Sequence, residues 1–312
     1  MPINSSAFYG EYHGHRVSHL ETLLQTLPPS PKIYLCGDSS LDNKYWLEQA
    51  VHTSALNGYE KVLSPPISFP DICHLLNEQL LATRINAVCI NAAVEESTLG
   101  SRQSGSSLLP QDAFVQRHLR DQDVLIVCAG GNDVVLKPSL STITSLLALL
   151  SCASEGSLEH GTAWGLQHFK SLFKDAYGDY IRALCASHKP KAVLVCMVYY
   201  PQYALPGVHS WADTSLGLMG YNTSPEKLQR VMRVVFTHAV SAVVVEGTQV
   251  IPFPLYGALD PSSPEDYVQR VEPSAVGGRK MAGGFIKALA PHLPSGGGDG
   301  GRGGSGGSLN ES

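Results

Sequence analysis

Charge is scarce in this chain. Only 16% of its 312 residues are Asp, Glu, Lys or Arg, and the net charge is -5 at pH 7. No run of Lys/Arg is interleaved with aromatic residues, so a nucleic-acid partner is not expected. Long apolar runs are lacking too. None approaches the roughly 18 consecutive apolar residues that a membrane-crossing helix needs. The start, MPINSSAFYGEYHGHRV, has no basic segment followed by an apolar core, and no secretory leader is expected. Seven cysteines occur without any Cys-x-x-Cys pair: Cys36, Cys73, Cys89, Cys128, Cys152, Cys185 and Cys196. Four of them (36, 89, 128 and 196) lie within short apolar runs. Buried free thiols in a reducing compartment fit this pattern better than disulfides, so a cytoplasmic location is expected. No Cys/His cluster has metal-ligand spacing, and neither a metal nor a cofactor is expected.

What is present is apolar bulk, with 43% hydrophobic residues, enough for one large core. Residues 1–31 read as an N-terminal extension and helix, with 1–15 loosely held. Residues 32–292 read as the main domain. The segment 293–312 is Gly/Ser-rich, offers no apolar surface and is expected to be a disordered tail. In between, short apolar runs at 33–36, 87–90, 124–128, 192–198 and 249–252 are continuous rather than alternating. That is the signature of strands buried on both faces. Helical patterns separate them over 71–83, 111–119, 162–188, 224–245 and 275–290. The aromatics Trp164, Phe169, Phe173, Tyr177 and Tyr180 fall near helical spacing and read as core packing. Ser224-Pro225-Glu226 reads as a helix start, with Ser as N-cap and Pro in the first turn. The alternation predicts a five-stranded parallel sheet, doubly wound in the flavodoxin-like manner, with helices on both faces in three layers.

Sites in such sheets form just past the C-terminal ends of the strands. After the first predicted strand comes Gly37-Asp38-Ser39-Ser40-Leu41-Asp42-Asn43. After the third comes Gly130-Gly131-Asn132-Asp133. Each alone is compatible with a simple helix-capping turn. Together, about ninety residues apart, they resemble the blocks of the SGNH/GDSL hydrolase superfamily. The resemblance spans roughly residues 32–291. It implies Ser39 as nucleophile, supported by Asp38. It also implies an oxyanion hole built from the Ser39 N–H, a backbone N–H after the second strand, the Gly131 region and the Asn132 side chain. Donors aimed at a developing oxyanion are worth about 2.7–4 kcal/mol each in studied acyl-transfer enzymes.

Two blocks depart from that pattern. After the second strand the chain reads Asn91-Ala92-Ala93-Val94-Glu95-Glu96-Ser97-Thr98, placing Glu96 where the resemblance implies an oxyanion glycine. A carboxylate there would oppose the oxyanion. Before the last helix, where the family carries Asp-x-x-His, the chain reads Gln269-Arg270-Val271-Glu272-Pro273-Ser274. Glu272 then takes the histidine's place and Gln269 the aspartate's. Asp266 and His209 are the remaining candidates for a base. The expected function is ester hydrolysis or acyl transfer on a small acyl ester or an acylated sugar or lipid, with Glu272 as an atypical base. The alternative is an inactive module of the same fold that binds a ligand or a protein. A nucleotide or phosphate binder ranks last, because the first strand-helix turn has neither GxGxxG nor GxxxxGK[ST].

Overall fold

The structure is a computed structural model that describes residues 2–103 and 108–295. Its centre is one parallel sheet of β1 (Lys32–Gly37), β2 (Val88–Asn91), β3 (Val124–Cys128), β4 (Ala192–Met197) and β5 (Gln249–Pro254), in the order β2-β1-β3-β4-β5. This is the flavodoxin-like order, and the strands fall where the apolar runs predict them. Every residue of β1 to β4 is buried, which is why those segments are apolar without alternation.

The helices used below are α1 (Val17–Thr26), α2 (Ile72–Ala82), α3 (Pro110–His118), α4 (Gly131–Val135), α5 (Leu140–Ser151), α6 (Leu166–Lys170), α7 (Tyr177–Leu184), α8 (Asp213–Leu218), α9 (Pro225–His238) and α10 (Ala275–Leu289). Helix α2 packs on α10, whereas α1 and α7 both pack on α3, so the sheet is sandwiched between two helical layers. A further group, α5, α6 and α9, packs together beyond the C-terminal end of β3. No helix among the described residues is long and apolar enough to cross a membrane.

Both edges of the sheet have fewer free donors than a bare strand. On β2, the Asn77 side chain accepts from the Cys89 N–H at 2.8 Å and donates to the Cys89 carbonyl at 3.1 Å, as a neighbouring strand would. On β5, Pro252 and Pro254 bring no N–H donor. Proline is tolerated there because an edge strand pairs on one side only.

Several sequence expectations are corrected. The 162–188 pattern is not one α-helix: α6 and α7 are joined by a π-helical turn, Ser171–Ala176. Trp164 precedes α6 and is 76% exposed, so it is not core, while Phe169, Phe173, Tyr177 and Tyr180 are buried. Helix α9 ends at His238, short of Val245, and Ser224 makes no side-chain capping bond. Of the segment 1–15, the described residues 2–15 are not loosely held. Ile3 pairs with Leu63, Phe8 and Tyr9 are buried, and the Phe8 ring stacks on His15 at 4.0 Å. At the other end, Leu293 is buried, the Pro294 carbonyl accepts from the Asn86 N–H at 3.0 Å, and Ser295 bridges to Ile85. Packing therefore continues past 293. The expected disorder of 296–312 lies outside the described residues. Among the described residues, Cys152 is exposed and the other six cysteines are buried and unpaired.

The end of β1 is the tightest point of the sheet. Gly37 has φ 128°, and the Cys128 carbonyl oxygen lies 1.7 Å from where a Cβ would sit. Gly37→Ala therefore meets both an unfavourable backbone conformation and a backbone clash, together about 3 kcal/mol or more. At about 2–4 °C per kcal/mol for a domain of 150–250 residues, thermal unfolding should show a Tm lowered by about 6 °C or more. An unchanged Tm would refute this account of the turn.

Candidate active site

The turn that leaves β1 is fixed by Asp38. Its N–H donates to the Cys128 carbonyl at 3.0 Å, its Oδ1 accepts from the Ser40 N–H at 3.0 Å, and its carbonyl accepts from Leu41 and Asp42 at 3.0 and 3.1 Å. None of these bonds uses the Ser39 N–H. Ser39 itself is 7% exposed and opens onto a cavity of about 100 Å3.

Beyond β3, Gly130 takes φ 101°, and a Cβ there would meet the Phe173 ring at 2.7 Å. This left-handed residue starts α4 and aims Asn132 and Asp133 at the loop after β2. The Asn132 Nδ2 donates to the Ser97 carbonyl at 3.0 Å, while the Asp133 carboxylate accepts from Leu99 and Gly100 at 2.8 and 2.9 Å. One hydrogen of the Asn132 amide remains for another acceptor.

Glu272 comes from a short antiparallel pair, Tyr267–Gln269 with Glu272–Pro273. Asn43 ties that pair to the turn after Ser39: it donates to the Pro273 carbonyl at 3.1 Å and accepts from the Ile72 N–H at 3.1 Å. As a result Asp38, Ser39, Gly131, Asn132 and Glu272 all line the same cavity. Its remaining wall is apolar, formed largely by side chains of α4, α5, α6, α8 and α9 and by the segment after β4.

Other expected residues go elsewhere. Glu96 does sit in the left-handed region, with φ 58°, as a glycine would. Its carboxylate, however, accepts from the Tyr12 hydroxyl at 3.1 Å and lies 3.8 Å from the Lys137 ammonium. It is not among the residues that line the cavity, so the expected opposition to an oxyanion is reduced. His209 is exposed in the loop before α8 and is not in the cavity wall. Asp266 is buried, but it accepts from the Asp260 N–H at 2.9 Å and from Lys280 at 2.7 Å, and it too is outside the cavity wall. Neither is brought to Ser39.

A buried charge cluster behind Ser39 escapes the sequence reading. Lys44 and Asp42 are fully buried and paired at 2.6 and 2.8 Å. Asp42 also accepts from the Glu95 N–H at 3.2 Å. Glu95 is itself 4% exposed. Burial pushes the Glu272 carboxyl well above the ordinary carboxylate range; Glu95 and Asp38 add to this, and a hydrogen bond from Ser39 opposes it. Burial, then Asp42, pushes Glu95 up to about 9, against Trp46 and Lys44. Burial likewise pushes Asp38 up to about 6. The available signal was the pair Glu95-Glu96 directly after an apolar strand end, and the charges at 42 and 44 within a few residues of Ser39.

No protein-family model matches the chain, and no curated protein matches it in sequence. Solved structures do. A lipase/acylhydrolase from Enterococcus faecalis is 14% identical, with 85% of this chain and 98% of that chain covered at a TM-score of 0.43. A member of the lipolytic G-D-S-L family from Veillonella parvula DSM 2008 is 12% identical, with 84% and 99% covered at a TM-score of 0.43. A carbohydrate esterase family 3 protein from Talaromyces cellulolyticus is 14% identical, with 84% and 97% covered at a TM-score of 0.39. At these identities and scores the likenesses carry no weight for function, which has to be argued from the site.

Two stability predictions follow from the charge cluster. Lys44→Met strands Asp42 as an uncompensated buried charge and should cost about 3–5 kcal/mol, whereas Asp42→Leu with Lys44→Met should recover much of it. Denaturant unfolding of the single and double variants measures this, and a strictly additive double variant would contradict the buried pair. The second concerns pH. A carboxyl whose folded pKa is raised holds its proton longer when folded, so its contribution is full below the unfolded value near 4.5. That contribution is lost as pH rises toward about 9, the value to which Glu95 is pushed. Tm should therefore decline across this window, and Glu95→Gln should flatten the decline.

Proposed function

We propose that the chain is a serine ester hydrolase or acyl transferase acting on esters with an apolar acyl group. The observation that carries this is the sharing of one cavity by Ser39, Asn132 and Glu272, with polar groups at one end and apolar side chains around the rest. In this reading Ser39 Oγ attacks the acyl carbon and Glu272 takes its proton. The Ser39 N–H and the free Asn132 amide hydrogen receive the oxyanion, the Glu96 N–H expected there lying outside the cavity wall. Asp38 holds the turn that presents Ser39. The acyl chain lies in the apolar part of the cavity, and water or a second alcohol then takes the acyl group from Ser39.

A ligand-binding module without turnover is the second reading. It is favoured by the absence of histidine among the residues lining the cavity. Turnover of p-nitrophenyl esters of graded chain length, with fluorophosphonate labelling, separates the two. Ser39→Ala should abolish labelling and turnover. Asn132→Ala should lower kcat about 10²–10³-fold. Glu272→Gln removes the proton acceptor and should lower kcat by up to about 10⁴-fold, the scale set by mispresenting the base in a serine triad. A wild-type protein that neither labels nor turns over any ester of the series leaves the binding module standing.

A further inference from the structure

The cavity beside Ser39 is small. Its volume is about 100 Å3. An engineered protein cavity of about 150 Å3 lined by Leu, Ile and Phe takes up benzene, so by proportion this one holds about four carbon atoms. Exposure differs across its wall. Trp211 is 39% exposed and marks the mouth, whereas Val235 of α9 is 2% exposed and marks a sealed side. Leu146 of α5, Phe169 of α6 and Met232 of α9 belong to the same sealed side and are all buried. Met232 and Val235 are three residues apart on one helix, so they share a face.

The helices that bound the cavity are tied to their neighbours. Where α6 begins, a Cβ on Gly165 would lie 2.2 Å from the Ser145 carbonyl oxygen, so α5 and α6 meet backbone to backbone. Thr142 of α5 and His168 of α6 are hydrogen-bonded at 2.9 Å. Helix α9 is held at its end by His238. The His238 Nε2 lies 3.0 Å from the Glu159 carbonyl, and its ring would meet a Cβ on Gly161 at 2.7 Å. Toward the mouth, Ser215 of α8 donates to the Val135 carbonyl of α4 at 2.9 Å. Asp213, at the start of α8, accepts from the buried Arg270 at 3.0 Å. A packed interior fastened in this way yields little to an oversized group.

We propose that the protein is selective for short acyl groups, of about four to six carbons by the cavity comparison above, and that Met232 and Val235 of α9 set this ceiling. The acyl-ester part rests on the ester-hydrolase reading; the ceiling is a property of the cavity alone. Each methylene that enters the cavity leaves water and strengthens binding. Once the space is full, a further methylene either overpacks the side formed by α5, α6 and α9 or stays in water at the mouth. Met232 is unbranched and long, so shortening it opens space along that side. Short-chain esters are thereby selected over long-chain lipid esters.

The test pairs kcat/KM for p-nitrophenyl esters from acetyl to decanoyl with NMR titration of the ester-free protein by linear alkanols from ethanol to octanol. Wild-type kcat/KM should rise about fourfold per methylene to an optimum between butanoyl and hexanoyl. It should then fall until decanoyl is about tenfold or more below the best ester. A decanoyl ester turned over nearly as well as the best overturns the ceiling. Met232→Ala should move the optimum about two methylenes longer, and Val235→Leu about one shorter. Should Met232→Ala fail to fold, Val235→Leu decides alone. An optimum that stays put in every folded variant overturns the assignment to α9. Alkanol affinity should climb by a similar factor per methylene and stop growing by hexanol. If no ester is turned over but the alkanol limit lies there, the hydrolase reading fails and the ceiling stands. Affinity that still climbs to octanol, or no binding of any alkanol, overturns the ceiling whether or not esters are hydrolysed.

Discussion

The close approach of Gly37 to the Cys128 carbonyl is the constraint on which the rest of the site depends. It lets β1 run flush against β3 to the last residue and turn sharply into Asp38. Because the two strands stay in contact to their ends, the turn carrying Ser39 and the turn carrying Asn132 emerge side by side. Asn43, four residues after Ser39, then tethers Pro273 and brings Glu272 to the same place. A single backbone contact thus sets where three separate chain segments meet.

Behind that meeting point the fold tolerates an arrangement that costs stability. Asp38, Asp42, Glu95 and Glu272 are all buried, and of these Asp42 is paired with the ammonium of Lys44. Hydrophobic residues of similar volume would pack there more cheaply. Clusters of buried acids with raised pKa values are the environment in which a carboxyl becomes basic enough to accept a proton near neutral pH. The same burial that destabilises Glu272 as an anion raises its strength as a base. In the proposed reading, this is how a carboxyl stands in for an imidazole.

Much of this was legible from the sequence, for definite reasons. The strands showed because burial on both faces makes them continuously apolar. Ser39 and Asn132 showed because each directly follows such a strand. Glu272 was placed by its spacing before Gly277-Gly278, and at Gly277 a Cβ would lie 2.2 Å from the Asp266 carbonyl oxygen. The cluster of Asp42, Lys44 and Glu95 was not legible, since whether a charged side chain is buried is decided by elements distant in sequence. The cavity wall was hidden for a related reason: the apolar faces of α5, α6 and α9 look the same whether they close on one another or leave a space between them. Trp164 reads as core by spacing but precedes its helix, and periodicity has no meaning outside the helix that carries it.

The treatment of the two outer strands has a consequence for the protein's behaviour in concentrated solution. An open sheet of this kind ends in rows of unpaired backbone groups that invite another chain to add as a further strand. Here the amide of Asn77 already occupies the Cys89 position on one side, and the prolines of β5 withhold donors on the other. Both borders therefore offer fewer free backbone donors to an added strand. Fewer free donors at the borders weaken the pairing on which cross-β self-association depends. Five short, strongly apolar strands can consequently persist in one molecule without making the native state prone to aggregate.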